Sequence, residues 1–138
     1  MKPRMLMAFL CLVLLAPAAM AEEDKAPEQE EQKAPAVYAP LEPLVVNVAD
    51  QGRVRHMQVT IQLKLSDADM QQYINRYNPA LRHELIMLLS DQPAKKLASA
   101  SGKIALRDEA LAALQGVMQE NIKLPAIEAV YFTEMIIQ

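Results

Sequence analysis

Met57-Gln58-Val59-Thr60-Ile61-Gln62-Leu63-Lys64-Leu65 alternates apolar and polar side chains without a break. Successive side chains of an extended chain point to opposite faces, so this run predicts a strand with Met57, Val59, Ile61, Leu63 and Leu65 buried. Its other side, carrying Gln58, Thr60 and Gln62, is left for solvent or a partner. Upstream, Val45, Val46 and Val48 follow Pro43 and predict a short first strand, ended by the turn residues Asp50-Gln51-Gly52. The two strands are expected to pair antiparallel.

Downstream the apolar period changes from that of a strand to that of a helix. Asp67 is placed to cap a short helix through Met70, Tyr73 and Ile74, and Asn78-Pro79 restarts the chain with a proline suited to a first helical position. The next helix, about Pro79 to Ser90, sets Leu81, Leu85, Leu88 and Leu89 on one stripe. Ser99 is the expected N-cap of a third helix, with Ile104, Leu111, Leu114 and Met118 as its core face. Gly116 weakens that helix by about 1 kcal/mol relative to alanine, and Pro125 lies beyond its end. The stretch Val130-Tyr131-Phe132-Thr133-Glu134-Met135-Ile136-Ile137-Gln138 then reads as an apolar strand. Left frayed it would be an aggregation hazard, so it is expected to be paired inside a sheet, with either earlier strand as neighbour. The order β-β-α-α-α-β predicts an α+β fold, a small sheet with helices on one face.

The N-terminal third reads differently. Lys2 and Arg4 precede an uncharged stretch from Met5 to Ala21 containing the apolar run Leu6 to Leu15, then Pro17 and the small-residue site Ala19-Met20-Ala21. This is the layout of a secretory signal peptide cleaved after Ala21. The alternative is a short membrane anchor, although a helix of that stretch would be roughly 25 Å long against a hydrocarbon core near 30 Å. Cys11, the single cysteine, lies within it, and Ala8-Phe9-Leu10 lacks the small residues of a lipidation site. No disulfide is therefore expected to staple the exported chain. Residues 22–36 carry six acids against Lys25 and Lys33 and no large apolar side chain, so they read as a disordered acidic linker. Residues 37–138 form the expected folded domain; their 11 acids and 10 bases leave no basic excess, which argues against a nucleic-acid partner.

Candidate chemistry is sparse. His56 and His83 stand outside any H-x-x-x-H, H-E-x-x-H or Cys/His cluster, whereas zinc takes three or four ligands. Ser66, Ser90, Ser99 and Ser101 lack a G-x-S-x-G elbow. Gly52, Gly102 and Gly116 cannot make a phosphate cradle, and Gly102-Lys103 lacks the earlier glycine and following hydroxyl of a phosphate loop, so Lys103 reads as a solvated helix residue. Asp67 and Asp69 are explained by placement at a helix N-terminus. No catalytic residue, cofactor or metal site is expected.

Leu41-Glu42-Pro43 with Asn47, then Leu97, Gly102-Lys103, Leu106-Arg107, and finally Val130-Tyr131-Phe132-Thr133-Glu134 with Gln138 resemble the FliL family of flagellar basal-body proteins. The resemblance runs from about Tyr38 to Gln138, and its last segment is the most specific. Ser101 stands where an acidic residue commonly precedes the Gly-Lys pair, and Gln115 where the third helix usually has Asn. The resemblance implies a stomatin-like fold and a non-enzymatic accessory of the flagellar motor, supporting rotation, swimming or swarming. It also implies a periplasmic position at the inner membrane, with stator and basal-body proteins as partners and a homo-oligomeric ring as the assembly. Family members usually keep a full transmembrane helix, whereas residues 1–21 read here as a cleavable signal, with anchoring if cleavage fails. Gln58, Thr60 and Gln62 are the candidate partner-binding residues. Two alternatives stay open: a periplasmic scaffold of the same fold serving another membrane complex, and a small periplasmic hydrolase.

Overall fold

A computed structural model describes residues 35–138; the signal or anchor over 1–21 and nearly all of the acidic linker lie outside the described residues. Two strands, β1 (Val37–Asp50) and β2 (Arg53–Leu65), lead into four helices, α1 (Met70–Arg76), α2 (Asn78–Ser90), α3 (Ala94–Ala98) and α4 (Ala100–Ile122), and a last strand, β3 (Ile127–Ile137). The fold is α+β, as the order of elements implied. The short α3 is an addition to that reading, inserted where Pro93 starts a single turn of helix.

The sheet is antiparallel with β2 in the middle, so β3 pairs with β2 and not with β1. Gln51 (φ 48°) and Gly52 (φ 83°) close the β1–β2 hairpin with Asp50 opposite Arg53. Two central residues of positive φ make a tight turn whose twist matches that of the strands.

β1 is longer than the valine run alone suggested. Two prolines argue against a strand, yet both are accommodated on this outer edge. His56 exchanges both backbone bonds with Gln138 at 2.9 Å, which fixes the even-numbered residues of β2 as the ones bonded toward β3. Pro40 opposite Gln62 then sits where its missing N–H would point away from the sheet. Pro43 lies in a bulge, since Glu42 and Pro43 fall between the pairs Leu41↔Ile61 and Leu44↔Val59. Arg82 of α2 steadies this bulge, donating from Nη1 to the Glu42 carbonyl at 2.8 Å.

Alternation holds along β2 from Met57 to its end: Met57, Val59, Ile61, Leu63 and Leu65 are buried under the helices. Leu81, Leu85 and Leu89 of α2 are fully covered as well, with Leu88 packed at their margin. On α4 the buried face consists of Gly102, Leu106, Ala110, Leu114, Val117 and Met118. Ile104 is a correction to the expected stripe: it is 54% exposed, because α4 rolls its small residues inward. A Cβ on Gly102 would stand 1.9 Å from the Lys96 carbonyl oxygen, so this closeness of α3 and α4 requires glycine.

The helix starts follow local chemistry. Ser99, in an extended conformation, accepts the Gly102 N–H at 3.0 Å and caps α4. Asp67 acts one step earlier than expected: its Oδ1 accepts the Asp69 N–H at 2.9 Å, closing a turn ahead of α1, whose own N-cap position is Asp69.

Candidate interaction surfaces

Among the described residues the sheet has one face under the helices and one face without a helical layer. On the open face the even-numbered side chains of β2 stand between outward residues of β1 and β3. Gln58 lies between Val45 and Ile136, and Gln62 between Pro40 and Tyr131. Thr60 is half-buried beside them, and its Oγ1 donates to Glu134 Oε2 at 3.4 Å. The three expected contact residues therefore share one face, in a row along the central strand. What the sequence did not reveal is the apolar border of that row. Val45 is 66% exposed, and Tyr38 and Tyr131 meet across the sheet with ring centroids 6.1 Å apart at 55°. Their distance in sequence hid the pair, which exists only once β3 lies beside β2.

Lys64 occupies one end of this face and pairs with Glu128 at 2.5 Å. The hydrogen bond that Lys64 donates to Glu128, with the attraction of that carboxylate's charge, holds the Lys64 ammonium above its ordinary pKa of 10.5. Glu128 is supplied by an irregularity, since it is the extra residue of β3 between the pairs Lys64↔Ala129 and Leu65↔Ile127.

Thr133 is the second extra residue of β3, between Ile61↔Phe132 and Thr60↔Glu134, and its hydroxyl donates to the Thr60 carbonyl at 3.2 Å. The Thr-Glu pair of the last strand thus locks register: Thr133 fills the bulge and Glu134 accepts from the neighbouring strand. At the other end of the element, Gln115 of α4 donates to the Ile127 carbonyl at 2.7 Å.

A second surface lies at the opposite edge of β3. The Gly-Lys-x-x-Leu-Arg stretch and the Val-Tyr-Phe-Thr-Glu stretch, far apart in sequence, meet across an open groove of about 380 Å³, with Lys103, Ile104 and Arg107 on the α4 side. Gly102 and Leu106 of the same stretch point inward and hold the helix down.

The residues weighed for chemistry are not brought together. His56 is exposed on β2 opposite Asn47, and His83 is exposed on α2. Ser66 donates to Asp67 at 3.2 Å, and Ser99 is occupied as a cap. Among the described residues no group of three His, Cys, Asp or Glu could hold a metal ion. None of the described helices is long and apolar enough to cross a membrane. The buried polar side chain that sequence reading missed is Gln92, which donates to the Leu88 carbonyl at 3.2 Å and to Glu109 at 3.4 Å. With Lys96–Glu109 at 3.0 Å it joins the end of α2 and the short α3 to α4, a structural task.

The sequence pattern of the family described as "Flagellar basal body-associated protein FliL" matches residues 38–138, the whole extent of the fold just described. The chain belongs to the FliL family. The chain is 27% identical over 114 residues to the flagellar protein FliL of Aquifex aeolicus, covering 83% of this chain and 68% of that one. Against flagellar protein FliL of Escherichia coli K12 it is 36% identical over 84 residues, covering 61% of this chain and about half, 52%, of that protein. The Shigella flexneri protein matches to the same extent. This chain is thus a member of a family of flagellar basal body-associated proteins.

Proposed function

We propose that this FliL-family chain is a non-enzymatic accessory of the flagellar motor that works by contact in the periplasm, beside the stator units, supporting rotation during swimming or swarming. The observation that carries this reading is the family match over residues 38–138. Export by residues 1–21, cleavage after Ala21 and a flexible acidic linker over 22–36 are part of the proposal, as is assembly of several copies into a ring near the inner membrane. The open sheet face, with Gln58, Thr60 and Gln62 bordered by Val45 and Tyr131, is the proposed contact surface. It presents a mixed polar and apolar area of the kind that partner proteins cover.

Motility and flagellar number, measured together in a deletion strain complemented with variants, test the proposal. Gln58→Arg with Gln62→Arg is expected to impair swimming while flagella still assemble, and His56→Ala with His83→Ala to leave swimming intact. Full motility in the deletion strain, with no paralogue present, would overturn the motor assignment; full motility of the arginine variant would remove the open face from it.

A further inference from the structure

The two outer strands of the sheet are protected unequally. Both carry bulges, at Glu42 and Pro43 on β1 and at Glu128 and Thr133 on β3, but β1 also carries Pro40 and Pro43, which stop another chain from pairing along it. β3 contains no proline, lysine or arginine over its 11 residues. Because Gln138 turns both backbone groups to His56, Ile136 does the same toward β2, and Met135 and Ile137 turn theirs to the outer edge. Arg55 reaches the Ile137 carbonyl at 3.2 Å. No backbone bond from another element reaches Met135 among the described residues.

Beside this edge runs the groove between α4 and β3. Its helical wall offers an exposed apolar side chain, Ile104, flanked by two cations, Lys103 and Arg107, and its strand wall offers Phe132 and Met135. Lys103 forms no ion pair among the described residues, and Arg107 meets only its exposed neighbour Asp108 at 2.9 Å. Glu134, the acid at the rim, is directed to Thr60 on the other side of the sheet. A strand edge that is unpaired among the described residues, next to an apolar seat and two cations, is complementary to a strand carrying carboxylates around an apolar side chain.

We propose that an extended segment of a partner protein adds to the outer edge of β3 as a fourth strand, with an apolar side chain on Ile104 and carboxylates on Lys103 and Arg107. Side chains two apart share a face of a strand, so the segment reads acidic-x-apolar-x-acidic. This interface is separate from the open sheet face and does not depend on the motor reading.

The probe is a fluorescein-labelled peptide, Thr-Glu-Thr-Ile-Thr-Glu-Thr, titrated into the full chain and followed by anisotropy and by amide shifts. Saturable binding is expected, at least tenfold weaker when both glutamates are lysines. Lys103→Glu with Arg107→Glu, at two exposed positions whose change leaves the thermal midpoint in place, is expected to reverse that preference. N-methylation of one alternating set of peptide amides should abolish binding and methylation of the other set should not, since only every second residue faces the edge. Shifts should centre on Ile104, Met135 and Ile137. Equal affinity for both charge forms, indifference to both methylation patterns, shifts along β1, or no saturation by about 1 mM, a binding energy near 4 kcal/mol, would each overturn the proposal. Sedimentation showing a dimer that β3-edge variants dissociate would overturn it in favour of a second copy of this chain.

Discussion

Gly102 and Gly116 lie on the same helix and should respond to alanine with opposite signs. Helix propensity alone favours alanine by about 1 kcal/mol at both positions. At Gly116 nothing among the described residues beyond the helix's own backbone stands within 4 Å of an added Cβ, so Gly116→Ala is expected to raise stability by about 1 kcal/mol, seen as a higher denaturation midpoint. At Gly102 the Cβ would overlap the Lys96 carbonyl at 1.9 Å. Relieving such a backbone clash typically costs about 1–3 kcal/mol, which outweighs propensity, and Gly102→Ala should lower the midpoint. Lys64 gives the pH counterpart. Its pKa is raised in the folded state by the Glu128 hydrogen bond, so the stabilisation is fully present below 10.5 and is lost as pH rises through the higher folded value. Stability measured from pH 9 to 12 should fall more steeply in the parent than in Lys64→Met.

Helix α4 shows how an element can be legible while its orientation is not. At about 100° per residue, Ile104 lies roughly 80° to one side of Leu114 and Leu106 roughly 80° to the other. Both flanks carry apolar side chains, so periodicity located the helix, its Ser99 cap and its centre at Leu114 and Met118 without choosing a flank. Packing chose the side with Gly102 and Ala110, whose small size lets α3 and the sheet come close. Leu106→Ala is therefore expected to cost about 2–5 kcal/mol and Ile104→Ala less than about 0.5 kcal/mol, read from urea midpoints. Equal losses would mean that α4 is rolled the other way. In α2, by contrast, the leucine stripe left one choice, and Leu81, Leu85 and Leu89 are all fully buried.

For the molecule as a whole, β3 binds the folding unit together. It completes the sheet through β2, packs under α4, and receives Gln115 at one end and Arg55 at the other. Deleting Met135 to Gln138 removes three large apolar side chains and the two bonds between Gln138 and His56. That loss is comparable to the roughly 5–15 kcal/mol by which a domain is stable, so the truncated chain is expected to lose its cooperative thermal transition. A sharp transition in calorimetry would show the segment to be dispensable.

The sequence by itself determined what depends on neighbours along the chain: the alternation of β2, the turn at Asp50-Gln51-Gly52, the proline and serine starts of helices, and the leucine stripe of α2. These are short-range consequences of side-chain direction and backbone freedom, and they carried the α+β order with them. The resemblance of Leu41-Glu42-Pro43, Gly102-Lys103 and Val130–Glu134 to one family was legible for the same reason, since motifs are local. Tertiary structure alone decided which strand β3 joins, which flank of α4 is covered, and that β1 extends back through two prolines on an outer edge. It also decided the surfaces, bringing Tyr38 to Tyr131 and the Gly-Lys helix to the last strand. Those outcomes turn on competition between alternative burials of similar apolar area, and that competition is settled only when all the elements are packed together.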